Sequence, residues 1–100
     1  MVLGSLEVDE ARLTRICQQY GVRELLVFGS VARGTPAPDS DFDLLVEFLP
    51  STQPGLLDHA GLMLDLSELL GRNVDLVSKN GLKPQMREAV MHEARRLYAA

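Results

Sequence analysis

The stretch LLVFGSVARGTPAPDSDFDLLVEF, residues 25–48, decides how this chain of 100 residues folds. Two apolar runs, each typical of a buried β-strand, flank a loop rich in proline and other turn-forming residues. The second run carries carboxylates at Asp41 and Asp43. Residues two apart on a strand point to the same face. We therefore expect two negative charges side by side on a strongly apolar strand.

Local patterns predict that helices and strands alternate along the rest of the chain. Apolar residues at helical spacing indicate helices over 13–20 and 55–70 and from Pro84 to the C-terminus. Strands are predicted over 24–28, 41–48 and 73–78, with a short helical segment after the first of them. The order αβ-αβ-αβ-α predicts an α/β (α+β) fold, in which a small mixed β-sheet is flanked by helices. The length predicts a single domain over 1–100.

Composition excludes several classes of protein. The chain is 46% hydrophobic and 24% charged, which is typical of a soluble globular protein. It has no apolar run near the ~18 residues of a membrane span and no signal-peptide pattern. Its single cysteine, Cys17, cannot form an internal disulfide. These features predict a cytoplasmic protein that does not enter a membrane.

Charge is unevenly distributed along the chain. The net charge is −4, with −7 in residues 1–70 and +3 in residues 71–100. The acidic surplus argues against strong nucleic-acid binding through charge alone. The basic end could face a phosphate-bearing ligand or an acidic partner, or it could be a solvated helix face.

A third acid repeats the pattern of the first two. Asp75 lies between Val74 and Leu76, inside another short apolar run. Three carboxylates brought together in a sheet would repel one another and would be costly to bury. A divalent cation reverses that balance, and all-oxygen ligands suit Mg²⁺ or Mn²⁺ better than Zn²⁺. The alternative is that all three acids lie at strand ends and are simply hydrated.

A phosphate-binding turn is predicted directly before this acidic strand. Gly29-Ser30 follows an apolar strand and opens a helical segment, so that backbone N–H groups and a hydroxyl lie at its tip. Residues 29–34 have the glycine spacing of a P-loop, but Thr35-Pro36 stands where Lys-Ser/Thr is required, so we reject that motif. A phosphate-binding turn beside a metal-binding acid cluster indicates phosphoryl or nucleotidyl transfer.

These motifs resemble those of the DNA polymerase β-like nucleotidyltransferase superfamily. Gly-Ser, ten residues, Asp-x-Asp and a later strand Asp occur in that order, and GSVARG…SDFDLLVEF resembles the minimal nucleotidyltransferase (MNT) family. The resemblance implies that Gly29 and Ser30 bind the β- and γ-phosphates of a nucleoside triphosphate. It implies that Asp41 and Asp43 bind Mg²⁺, with Mn²⁺ as an alternative.

The resemblance assigns roles to two further residues. Asp75 would complete a second metal site and help to activate the acceptor hydroxyl. Arg33 matches an arginine of the family motif, and its role stays open between phosphate contact and structural pairing with an acid.

The MNT resemblance also implies a partner protein. A chain of this length has no acceptor-binding domain of its own, so the acceptor must be another molecule. In the MNT family the partner is a HEPN-domain toxin, and some members transfer AMP from ATP to a tyrosine of that toxin. Two hypotheses follow: an enzyme that nucleotidylates its partner, or an antitoxin that neutralises it by contact. An antibiotic-modifying transferase is a weaker third. The oligomeric state stays open, and a homo-oligomer is possible.

Overall fold

The computed structural model describes residues 1–3, 6–33 and 41–100, without the side chains of Ser30 and Arg33. The predicted loop over 35–40 lies outside the described residues. Within the described part, the elements in chain order are β1 (Val2–Leu3), β2 (Leu6–Glu7), α1 (Glu10–Gln19), β3 (Val22–Phe28), α2 (Ser30–Arg33), β4 (Phe42–Phe48), α3 (Leu56–Leu70), β5 (Val74–Ser78), a 3₁₀ turn (Lys79–Gly81), α4 (Pro84–Glu93) and β6 (Arg95–Ala99).

The main sheet is mixed, as predicted, and has the strand order β5-β4-β3-β6. Strand β4 is central: it runs antiparallel to β3 and parallel to β5. Strand β6 pairs antiparallel with the outer edge of β3, and β1 pairs with β2 in a separate two-stranded sheet. Strand β4, which carries Asp43, therefore has neighbours on both sides.

One face of the sheet is buried under α1 and α3. Helix α3 contributes Leu62, Leu66 and Leu70, which recur every four residues and so lie on one stripe. The buried cluster consists of Leu3, Val8, Leu13, Cys17, Val22, Leu25, Val27, Val31, Phe42, Leu44, Val46, Leu62, Leu66, Leu70, Val74 and Leu76. Phe42 thus packs in the core, on the face opposite to Asp43, as strand alternation predicts.

Specific polar contacts define where the helices begin and end. The Asp9 carboxylate accepts hydrogen bonds from the N–H groups of Ala11 and Arg12 at the start of α1. Asp58 accepts from the N–H of Gly55 at the start of α3, at 2.9 Å. Helix α3 ends at Leu70 and is followed by Gly71, whose φ of 65° is the left-handed conformation typical of a glycine helix stop.

The prediction that the last helix continues to the C-terminus is wrong. Helix α4 ends at Glu93, Ala94 is extended, and Arg95–Ala99 form β6. The outer edge of β3 has unpaired N–H and C=O groups that β6 satisfies, with Tyr98 opposite Leu25. Local helical spacing cannot reveal an open strand edge elsewhere in the chain.

The two N-terminal strands were also absent from the predicted order. They are only two residues each, too short for a periodic pattern. The other predicted strands and helices, including the short α2, match the structure to within a few residues. Among the described residues, no helix combines the length and the apolar character that a membrane crossing requires.

Candidate active site

Gly29 forms a sharp turn at the end of β3. Its φ of 74° lies in the left-handed region, where a side chain would be strained. The Asp43 carboxylate occupies the space that a β-carbon on residue 29 would need. Glycine is therefore required at this position both by the backbone conformation and by the close approach of Asp43.

Two of the predicted acids lie side by side. Asp43 on β4 and Asp75 on β5 are register partners in the parallel pair, so their backbones are separated by about 4.8 Å, the spacing of neighbouring strands. Register partners point to the same face of a sheet. Asp43 is half-buried and Asp75 is exposed. The pair lies next to the Gly29 turn, because Phe28 is opposite Asp43 in the β3–β4 ladder.

Asp41 is exposed and lies one residue before β4. The strand is anchored at this point because the N–H of Phe42 donates to the carbonyl of Asn73 at 2.9 Å. Within residues 1–3, 6–33 and 41–100, no three acidic, histidine or cysteine side chains are grouped closely enough to hold a metal ion. The structure thus brings Asp43 and Asp75 together, and the three-acid metal site stays a prediction.

The donor set nevertheless fits the predicted cation. Carboxylate oxygens on neighbouring strands are hard ligands, which Mg²⁺ and Mn²⁺ prefer. Asp75 is exposed, so its carboxylate is accessible to a hydrated ion.

Ser30 follows Gly29 directly along the chain and is the first residue of α2, whose last residue is Arg33. Helix α2 thus begins next to the Gly29 turn, but the side chains of Ser30 and Arg33 lie outside the described atoms. The roles predicted for Ser30 in phosphate binding and for Arg33 therefore stay predictions.

Sequence reasoning missed Glu93. Its carboxylate accepts a hydrogen bond from the Gly29 N–H, at 3.0 Å, in a partly buried position. No motif signals this contact, because 64 residues separate the two positions along the chain. The wrongly extended last helix also concealed it, since Glu93 reaches the turn only because α4 ends there and β6 begins.

A cavity of about 690 Å³ lies away from these acids. Its lining includes Val46, Phe48, Leu56, His59 and Lys79, around the carboxyl ends of β4 and β5. Asp43 and Asp75 lie near the amino ends of the same strands. From Asp43 to Phe48 the strand extends roughly 17 Å. We therefore assign the candidate active site by the chemistry of its residues and not by cavity size.

Comparison with known proteins finds similarity over nearly the whole chain. Residues 11–98 match the nucleotidyltransferase domain family. The protein adenylyltransferase MntA of Thermococcus cleftensis is 41% identical over 97 residues, which cover 93% of this chain and 96% of that protein.

Solved structures of low sequence identity share the fold. A toxin-antitoxin structure with AMP-PNP superimposes with a TM-score of 0.74 at 20% identity, covering 93% of this chain and 75% of that chain. A tri-AMPylated Shewanella oneidensis HEPN toxin in complex with MNT antitoxin gives a TM-score of 0.64 at 17% identity, covering 91% and 70% of the respective chains.

Proposed function

The chain belongs to the nucleotidyltransferase domain family and is a nucleotidyltransferase, and we propose that it transfers AMP from ATP to a hydroxyl of a HEPN-domain partner protein. The observation that carries the proposal is the Asp43–Asp75 pair, in register beside the Gly29 turn. The name of the MntA relative and the AMPylated toxin in a structural neighbour support the same reaction.

Each side chain of the site has a proposed task. The Gly29 turn and Ser30 would bind phosphate oxygens of ATP, and Arg33 would contribute a phosphate contact or a structural pairing. Asp41, Asp43 and Asp75 would hold Mg²⁺, which supplies the positive charge that neutralises the triphosphate and lowers the pKa of the incoming hydroxyl. Asp75, at the exposed side of the pair, would orient that hydroxyl.

The proposed reaction is a displacement at the α-phosphorus of ATP. The acceptor oxygen forms a bond to that phosphorus. The bond from the α-phosphorus to the oxygen that bridges it to the β-phosphate breaks, and pyrophosphate leaves. The hydroxyl proton is released to solvent. Most of the catalytic effect would come from alignment of the two reactants, since the reaction needs no covalent intermediate with the protein.

A labelling experiment tests the reaction. The purified protein is mixed with the product of its neighbouring gene, Mg²⁺ and α-labelled ATP, and the partner is analysed for label and for the mass of one or more AMP groups. We expect modification by the wild type and none by Asp43→Asn. Glu47→Gln is the matched control, because Glu47 lies on the same strand and the same face as Asp43.

A second experiment tests nucleotide and metal binding without a partner. A ligand that binds only the folded state raises its stability, so Mg²⁺ with ATP should raise the melting temperature of the wild type and of Glu47→Gln, and raise that of Asp43→Asn much less. Equal shifts in all three proteins would contradict binding at Asp43. Full inhibition of an unmodified partner by Asp43→Asn would instead favour an antitoxin that acts by contact.

A further inference from the structure

Glu93 is hydrogen-bonded to the backbone N–H group that a bound phosphate would need. The Gly29 N–H donates to the Glu93 carboxylate at 3.0 Å. This N–H belongs to the turn with φ of 74°, at the end of β3. A carboxylate oxygen and a phosphate oxygen are both anionic acceptors, and both form strong hydrogen bonds with backbone N–H groups. In the structure, therefore, the Gly29 N–H is already hydrogen-bonded to a carboxylate of the protein itself.

The sheet itself places Glu93 at the turn. Strand β6 runs antiparallel to β3, with Arg95 opposite Val27. The chain that leads into β6 therefore runs beside the chain that leaves β3, and this brings Glu93 alongside Gly29. An ion pair between Arg96 and Glu24, at 3.2 Å, lies further along the same two strands. The contact thus follows from strand pairing and does not depend on a long side chain reaching across the surface.

Three carboxylates lie around the Gly29 turn. The Asp43 carboxylate lies against Gly29, and Asp75 is its register partner. Adding Glu93 gives a third negative group around the turn where an anionic ligand is proposed to bind. One N–H cannot bond fully to two acceptors at once, so a phosphate oxygen and the Glu93 carboxylate would compete for the Gly29 donor.

We propose that Glu93 is a built-in competitor for the nucleotide phosphate, so that ATP binds only when the Glu93 carboxylate leaves the Gly29 N–H. The inference rests on the proposed function, since it assumes that the triphosphate binds at this turn. Helix α4 has no buried residue, and a segment with few buried contacts rearranges at low cost. The end of α4 can therefore move its carboxylate away while β6 stays paired.

Mutation of Glu93 distinguishes a competitor of phosphate from a residue that supports phosphate binding, because the two roles predict opposite changes in ATP affinity. If Glu93 competes with phosphate, removing its charge strengthens ATP binding. If it only positions the turn, or binds the metal ion, removing it weakens ATP binding. Glu93→Ala deletes the acceptor, and Glu93→Gln keeps an acceptor without the charge. Glu88→Gln is the matched control, because Glu88 is an exposed glutamate on the same helix.

The experiment measures the Kd of ATP with saturating Mg²⁺ by isothermal titration calorimetry for the wild type and the three variants. For a charge-assisted hydrogen bond that is partly exposed, we expect Glu93→Ala to lower the Kd about threefold to tenfold. Glu93→Gln should lie between Glu93→Ala and the wild type, and Glu88→Gln should match the wild type. In ¹⁵N spectra of the free proteins, the Gly29 amide should shift in both Glu93 variants and stay unchanged in Glu88→Gln.

Other outcomes overturn the inference. An unchanged or raised Kd in both Glu93 variants, with normal binding by the wild type, would refute competition and leave the proposed function intact. No ATP binding by any of the four proteins would overturn the inference together with the proposed nucleotide site. Binding by the Glu93 variants alone would support the inference in its strongest form.

Discussion

The two faces of β4 are built from different kinds of residue. On one face Phe42, Leu44 and Val46 are buried in the core, at 3%, 0% and 0% exposure. On the other face Asp43 and Glu47 are half-buried and flank one fully buried residue, Leu45. Alternation along a strand allows one face to stabilise the fold while the other carries charge. Substitutions on the two faces should therefore affect different measurable quantities.

The same contrast separates two helices. Helix α3 buries three leucines, whereas α4 buries none. Fully burying a leucine side chain is worth about 1.5–3 kcal/mol, so α3 is firmly held by the core. Helix α4, whose last residue contacts the Gly29 turn, is held more weakly. The part of the molecule that stabilises the fold is therefore distinct from the part placed near the candidate chemistry.

The largest expected effect is on catalysis, at the face that carries Asp43 and Asp75. Asp75→Asn should lower the rate of AMP transfer about 100- to 1000-fold, the range seen when one transition-state contact is removed. ATP affinity should fall much less, because Asp75 is proposed to act on the acceptor side. Asp75 is exposed, so the free energy of unfolding should change by less than about 0.5 kcal/mol. Transfer assays, ATP titration and urea unfolding measure the three quantities, and equal losses in transfer and binding would contradict this role.

The next effect is on stability, in the buried core on the other face of the sheet, where α3 packs. Leu66→Ala should reduce the free energy of unfolding by about 2–5 kcal/mol, because a fully buried leucine leaves a cavity. Urea unfolding measures the loss. Below the unfolding transition, the rate of transfer per folded molecule should stay close to that of the wild type. A large loss of activity in the folded variant would show that the two faces are coupled.

Gly29→Ala tests the contact between the turn that ends β3 and Asp43 on β4, where a change should affect both stability and activity. A left-handed conformation costs an alanine about 1–2 kcal/mol, and the new methyl group would also displace the Asp43 carboxylate. Gly71→Ala is the matched control: its φ is 65°, and a β-carbon there would meet nothing within 4 Å. We expect both variants to lose stability in urea unfolding, Gly29→Ala by more, and only Gly29→Ala to lose transfer activity. Equal activity in the two variants would contradict the tight packing of Gly29 against Asp43.

The smallest effect concerns a contact between α1 and α3. The Tyr20 hydroxyl donates to the Asp65 carboxylate at 2.7 Å, so Tyr20→Phe should cost about 1 kcal/mol. The hydrogen bond to Asp65, followed by burial, raises the pKa of Tyr20 above its usual 10.0. A raised pKa means that this contribution is complete below pH 10 and is lost as the pH rises through the folded-state pKa.

Urea unfolding of the wild type and Tyr20→Phe at pH 8 and in a more alkaline series checks this sign. The stability difference between the two proteins should shrink as the pH rises. A difference that stays constant through the alkaline series would mean that the tyrosine proton does not contribute to stability.

The sequence alone determined the local features of this protein. Period and turn chemistry indicated α1, α3 and strands β3 to β5 near their observed bounds, and the motifs predicted that Asp41, Asp43 and Asp75 share one site with Gly29 and Ser30. The β4–β5 register places Asp43 beside Asp75, near the Gly29 turn, and the site as a whole stays a prediction. The predictions of helices and strands succeeded because each depends on residues close together in the chain.

Only the tertiary structure decided the contacts between distant parts of the chain. Residues 95–99 became a strand because β3 offers an unpaired edge, and no local pattern in those five residues records that edge. The same pairing placed Glu93 at the Gly29 N–H. Hydrogen bonds between strands join residues by position in space and carry little sequence preference of their own, so folding had to place these partners together before the contact existed.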